Sequence, residues 1–92
     1  MNRDGFRISH TIRASITADG LVLLDVQGGL VLASNHIGAR IWQLIEQQLP
    51  RTAIAHQLTQ EYRVPFDRAE RDVDAFVGAL VRRGLVTEGS SC

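Results

Sequence analysis

The three histidines are the residues whose side chains could bind a transition metal or transfer a proton near neutral pH. His10, His36 and His56 fall in three separate segments, and their spacing matches none of the zinc-binding patterns such as HExxH. We therefore interpret His36 and His56 as solvated surface residues. The sequence predicts no metal site.

Nucleophilic and phosphate-binding residues are equally unpromising. Ser90, Ser91 and Cys92 lie at the very end of the chain, where no fold would preorganise a nucleophile. The pair Gly28-Gly29 is not followed by the lysine of a phosphate-binding loop. We expect that the protein is not an enzyme and that it uses no cofactor.

The last amphipathic segment carries interleaved charges that permit a different function, DNA binding. Helices predicted over 52–62 and 67–83, joined by a short turn, could form a winged helix-turn-helix. The arginines that could contact phosphates are Arg63, Arg68, Arg71, Arg82 and Arg83. The acidic residues interleaved with them are Asp67, Glu70, Asp72 and Asp74. These carboxylates would face the same phosphates, and the total charge is zero. Both observations count against DNA binding, which is therefore kept only as the alternative hypothesis.

Length and composition predict a single small domain. The chain has 92 residues, of which 45% are hydrophobic, and its ten arginines balance ten acidic residues. We place the domain at residues 12–87, between a flexible arm at 1–11 and a flexible tail at 88–92. The N-terminal segment lacks the apolar core of a signal peptide, and the lone cysteine excludes an internal disulfide. We expect a cytoplasmic protein.

The first half of the domain is predicted to be a three-stranded antiparallel meander. Ile12–Thr17 alternates weakly, and Leu21–Val26 and Leu30–Ala33 are short apolar runs. Turn residues at Asp19-Gly20 and Gln27–Gly29 separate these runs.

Three helices are predicted to follow the meander. The first runs from His36 to Gln48 after a cap at Ser34-Asn35, with Trp42 in the core; Gly38 inside it indicates a close approach to the sheet. The fold class is therefore α+β, winged-helix-like.

The second and third helices are predicted to begin at capping side chains. Thr52 would cap the second helix, which ends at Tyr62. Asp67 would cap the third, with Glu70 completing a capping box and Gly84 ending the helix. Its apolar stripe comprises Ala69, Val73, Phe76, Val77 and Leu80.

Four segments together resemble the PqqD family, the leader-peptide recognition elements of ribosomally synthesised, post-translationally modified peptides (RiPPs). Val22–Asp25 followed by Gly-Gly resembles the second strand and turn of the family. Asn35–Leu44 resembles its Asn-x-x-Gly-x-x-Ile-Trp-x-Leu helix, Thr52–Tyr62 its middle helix and Asp72–Leu85 its closing helix. The resemblance covers roughly residues 14–87. Two features depart from the family pattern near the expected binding edge. The family usually has leucine where this chain has Ser34, and it often has aromatic residues in the third strand, which is aliphatic here.

The resemblance implies a peptide-binding chaperone. Such a protein captures the leader of a precursor peptide and delivers it to a modifying enzyme such as a radical SAM protein, a cyclase or a leader peptidase. A purely structural subunit of a larger enzyme is a third hypothesis. Two copies could also pair through an open sheet edge into a homodimer.

The resemblance also locates the expected binding site, between the third strand and the third helix. The leader would add as a strand to the backbone of Leu30, Val31, Leu32 and Ala33. Val31 would face the groove, or Leu30 and Leu32 in the opposite register. On the helix the expected peptide-binding residues are Asp72, Ala75, Phe76, Ala79 and Arg83. For Phe76 plain core packing is the competing interpretation, and for the two alanines it is helix propensity on a solvated surface.

Overall fold

Five strands and three helices make up the part of the chain that the computed structural model describes, residues 6–88. The strands are β1 (Phe6–Ile8), β2 (Ile12–Thr17), β3 (Gly20–Asp25), β4 (Gly29–Ser34) and β5 (Val86–Glu88). The helices, which all lie between β4 and β5, are α1 (His36–Glu46), α2 (Arg51–Tyr62) and α3 (Phe66–Arg82). This confirms the predicted fold class, an antiparallel three-stranded sheet followed by three helices.

The meander β2–β3–β4 forms as predicted, with strand ends displaced by no more than one residue. Strands β2 and β3 pair from Ile12↔Asp25 to Thr17↔Gly20. Gly20 has a φ of +138°, and a Cβ there would lie 2.8 Å from the Cα of Asn35. Only glycine is compatible with this position, where the β2–β3 turn abuts the start of α1.

The chain on both sides of the meander corrects the expectation of a flexible arm and tail. Strand β1 pairs antiparallel with β5, from Phe6↔Glu88 to Ile8↔Val86, and Phe6 is 3% exposed within the core. Strands of three residues are too short to show a period, and these partners lie at opposite ends of the sequence. Residues 1–5 of the predicted arm and 89–92 of the predicted tail lie outside the described residues.

Helix starts follow the predicted side-chain cap in one case of three. The Oδ1 of Asn35 accepts a hydrogen bond from the backbone N of Gly38 at 3.1 Å, which confirms the cap of α1. The predicted caps Thr52 and Asp67 are wrong, because α2 and α3 start directly after Pro50 and Pro65 without a side-chain cap. Proline presets the backbone at a helix start, so each helix begins earlier than the polar residue suggested.

The core lies where α1 packs between β3 and the two following helices. Trp42 is buried there, as predicted, and its Nε1 donates to Glu46 Oε2 at 3.0 Å. The fully buried large side chains are Leu21, Leu23, Ile41, Trp42, Leu44, Ile45, Ile54, Val73, Val77, Leu80 and Val86. Because α3 contributes only one face to this core, its opposite flank is free to form other surfaces.

Candidate functional site

A groove of about 540 Å³ lies between α1 and α3 and opens at the end of β4. Its lining residues are Ser34, Asn35, Ile37, Gly38, Ile41, Arg68, Asp72, Ala75, Phe76 and Ala79. We call this feature the α1–α3 groove. Apolar residues such as Ile37 and polar ones such as Asn35 share the lining, and the charged residues Arg68 and Asp72 line it from α3.

Small residues keep the groove open. A Cβ on Gly38 would overlap the Oγ of Ser34 and lie 2.6 Å from the Cβ of Ser34 and 3.1 Å from Cε1 of Phe76. Gly38 is thus the point where α1, the end of β4 and α3 meet, which confirms the expected close approach to the sheet. Ala75 and Ala79 extend the shallow surface along α3.

Four of the five helical residues expected in the site lie together in the groove: Asp72, Ala75, Phe76 and Ala79. Asp72 and Ala75 are exposed, whereas Phe76 and Ala79 are half-buried. Phe76 also packs against the core, and its role in peptide binding stays a prediction. The fifth residue, Arg83, lies beyond the groove at the opposite end of α3.

Strand β4 contains a bulge that decides how its side chains are distributed. Leu23 pairs with Leu32 but Leu24 pairs with Leu30, so Val31 is an extra residue without a partner. Val31 and Leu32 are both half-buried against the core. Leu30 is 67% exposed, opposite the exposed Leu24. Neither simple alternation predicted for this strand therefore holds, and Leu30 is separated from the other two.

The free side of β4 is the edge of the sheet, since the strand order is β2-β3-β4 and the described residues add no strand beyond β4. At this edge the Nη1 of Arg83 donates to the backbone carbonyl of Val31 at 3.3 Å. The C-terminal end of α3 thus reaches β4 at Val31, and Phe76 near the middle of α3 lies beside Gly38, which also abuts Ser34 at the end of β4. The groove reaches the open edge at Ser34, which lines it and is the last residue of β4.

Six groove residues were not among the expected binding residues: Ser34, Asn35, Ile37, Gly38, Ile41 and Arg68. The two isoleucines belong to the apolar face of α1, and Arg68 was considered only as an arginine that could contact DNA phosphates. One signal pointed to Arg68, because it precedes Asp72 by four residues and so lies on the same flank of the helix.

Among the described residues, two ion-pair clusters lie on the surface outside the groove. Arg40 forms a two-pronged pair with Glu61, at 2.8 and 2.6 Å, and this hydrogen bonding lowers the pKa of the Glu61 carboxyl. Arg51 binds both oxygens of Glu88 at 2.9 Å and Asp74 at 2.8 Å, joining α2, β5 and α3. Hydrogen bonding to Glu88 raises the pKa of the Arg51 guanidinium.

Other candidate residues from the sequence do not join the groove. His36 is exposed, with its ring centroid 6.2 Å from that of Tyr62, and the exposed His56 lies 4.5 Å from Phe66. Ser90, Ser91 and Cys92 are outside the described residues. Within residues 6–88, no helix combines the length and the apolar character needed to cross a membrane.

Comparisons with known proteins identify relatives of this chain. The family model described as "Coenzyme PQQ synthesis protein D (PqqD)" matches residues 20–86. A structure described as "TbiB1 in Complex with the TbiA(beta) Leader Peptide" is 29% identical, with a TM-score of 0.79 over 92% of this chain and 99% of that one. Another, "Lasso peptide synthetase B1 complexed with the leader peptide", is 34% identical, with a TM-score of 0.78 over 89% and 96% of the two chains. No curated protein sequence matches significantly.

Proposed function

The chain belongs to the PqqD family, and we propose that it is a peptide-binding chaperone, which captures the leader of a ribosomally synthesised precursor peptide. The observation that carries the proposal is the continuity of the open β4 edge with the α1–α3 groove. An edge strand binds an extended peptide through backbone hydrogen bonds, and neighbouring pockets select its side chains.

The proposed strand part of the site is the backbone from Leu30 to Ala33. In this proposal the leader pairs with Val31, Leu32 and Ala33, and the two half-buried side chains among them form the wall below it. Leu30 contributes its backbone alone, because its side chain is on the opposite, exposed face of the sheet.

The helix part of the site selects leader side chains. Apolar side chains of the leader occupy the part of the α1–α3 groove above Ala75, Phe76 and Ala79, where burial of apolar surface supplies affinity. Asp72 and Arg83 contact polar or charged leader groups nearer the ends. The ordering of a flexible leader opposes binding, so moderate affinity is expected.

The structural relatives support this use of the surface. TbiB1 and the lasso peptide synthetase B1 were both solved with leader peptides, and this chain matches nearly their whole length. By extension, the protein would hold a precursor's leader in the cytoplasm while a modifying enzyme acts on the adjoining core segment. A radical SAM protein, a cyclase and a leader peptidase are the enzyme classes to test, and the chain itself would contribute no catalytic residue.

The DNA-binding alternative receives no support from α3. Its exposed arginines alternate with Asp67, Glu70, Asp72 and Asp74, and the protein has no net charge to attract a polyanion. The family match also favours peptide over DNA.

A bulky side chain placed in the α1–α3 groove tests the proposal. Ala79→Trp should weaken binding of the leader encoded beside this protein at least ~30-fold, because the indole would occupy the space of a leader side chain. Val81→Trp is the matched control. It lies on the same helix about 200° from Ala79 and is already 40% exposed, so binding should be unchanged.

Isothermal titration with synthetic leader fragments gives both affinities, and circular dichroism verifies that both variants fold. Equal binding by the wild type and the Ala79→Trp variant would overturn the proposed site. Absence of binding by every leader fragment would overturn the function. If two copies pair through β4, leader binding should also convert dimer to monomer in light scattering, since both would use the same edge.

A further inference from the structure

The α1–α3 groove extends past the point where β4 ends. Ser34 is the last residue of the strand, and Asn35 is already committed to capping α1. Ile37, Ile41 and Arg68 also line the groove, from helices α1 and α3, where no strand edge is available. Side chains must therefore provide the recognition there.

Arg68 is the cationic residue in the groove lining. Its side chain is exposed, and within residues 6–88 it forms no ion pair, whereas Arg40 and Arg51 are engaged by carboxylates. A guanidinium presents a planar fork of donors that matches a carboxylate in geometry and charge. Since the protein is neutral overall, this is a local feature and not part of a general basic surface.

We propose that Arg68 is a specificity-determining residue that pairs with an aspartate or glutamate of the leader. The inference rests on the proposed function and deepens it by naming the chemistry of the peptide. The apolar floor formed by Ile37 and Ile41 takes the side chain next to that carboxylate.

The length of the groove fixes where the acidic residue falls in the leader. Arg68 and Ala79 are about 16 Å apart along α3, at about 1.5 Å per residue. An extended peptide rises about 3.3 Å per residue, so the carboxylate lies about five residues from the leader side chain at Ala79. Asp72, between these points, disfavours a second carboxylate in the middle of the segment.

A random peptide library tests the proposal without knowledge of the natural precursor. Displayed 16-residue peptides are selected against the full chain, and against the variants Arg68→Glu and Arg71→Glu. Arg71 is the matched control, since it is exposed on the same helix but does not line the groove. Wild type and the Arg71→Glu variant should enrich peptides with an acidic residue about five positions from an apolar anchor. The Arg68→Glu variant should instead enrich arginine or lysine there.

A peptide enriched on the wild type then gives the magnitude. Replacing its acidic residue by the neutral amide should weaken binding about two- to five-fold at low salt, and this loss should vanish in the Arg68→Ala background. Fluorescence anisotropy at two salt concentrations measures both effects.

The outcomes separate this inference from the proposed function. Peptides that bind, compete with one another and fail on the Ala79→Trp variant, but carry no preferred acidic position, would overturn the role of Arg68 alone. The same acidic preference on the Arg68→Glu variant would do so too. If no peptide or leader fragment binds the wild type, the proposed function fails, and the inference with it.

Discussion

Two aspartates on α3, two residues apart, show how differently the two flanks of this helix are used. Asp74 accepts a hydrogen bond from Arg51, which also holds Glu88, so this flank is tied to α2 and β5. Asp72 faces the α1–α3 groove and forms no ion pair within residues 6–88. One flank completes the fold, whereas the other remains available to a ligand. Substitutions on the first should change stability, and those on the second should change binding.

The largest effect on stability is expected from the buried apolar stripe of α3, which lies between the two flanks. Leu80→Ala should lower the free energy of unfolding by about 3 kcal/mol, since Leu80 is fully buried and the cavity cannot close completely. Urea denaturation measures the change. In the neighbouring Ala79→Trp variant the loss should be less than about 1 kcal/mol, because that side chain borders open space. Similar losses in both variants would contradict the division between stripe and groove.

The junction below the groove should be the next most sensitive position. Gly38→Ala should destabilise the protein by about 2 kcal/mol, because the new methyl group would collide with Ser34. Gly78→Ala is the control: its Cβ would meet only the flexible end of Arg82, at 3.3 Å, so helix propensity should stabilise it by about 0.5 kcal/mol. Thermal unfolding of the two variants distinguishes them. Stabilisation by both would mean that Gly38 is not a close contact.

The flank of α3 that carries Asp74 should contribute less to the stability of the protein than the core. Arg51→Ala removes the pairs with Glu88 and Asp74, and we expect a loss of about 1 kcal/mol with no change in leader affinity. The exposed Arg71 serves as the control, and its alanine variant should stay within about 0.5 kcal/mol of the wild type. Reduced leader affinity in the folded Arg51→Ala variant would show that the two flanks are coupled.

The smallest effect concerns the Arg40–Glu61 pair, remote from both flanks. Because pairing lowers the pKa of Glu61, its stabilisation is fully present above the ordinary pKa of glutamate and is lost as the pH falls through the lowered value. Glu61→Gln should therefore cost about 0.5 kcal/mol at pH 7 and nearly nothing at pH 2. Unfolding measured at both pH values tests this, and a difference between variant and wild type that persists at pH 2 would contradict it.

Local patterns sufficed for the elements whose signal is local. Weak alternation located β2, short apolar runs between turn residues located β3 and β4, and the 3.6-residue period located the three helices. The prolines at 50 and 65 outweighed the capping signals of Thr52 and Asp67, because the fixed proline backbone starts a helix without a side-chain bond. Strands β1 and β5 escaped detection because their pairing joins the two ends of the chain.

The candidate site was predictable in part for a related reason. Residues of α3 could be assigned to a flank from helical geometry alone, and Asp72, Ala75, Phe76 and Ala79 do lie in one groove. Strand β4 could not be assigned in this way, since the extra residue at Val31 breaks the alternation on which any register depends. Ile37 and Ile41 line both core and groove, a dual position that no hydrophobic pattern distinguishes.

The bulge at Val31 also bears on how the protein behaves when it is concentrated. A flat, unprotected edge strand can pair with the edge strands of further molecules and so form insoluble aggregates. The bulge distorts the edge, and the guanidinium of Arg83 covers the carbonyl of Val31, so only a short regular stretch remains for pairing. An edge of this kind is long enough to pair with the proposed leader peptide, but it is a poor template for the growth of an aggregate.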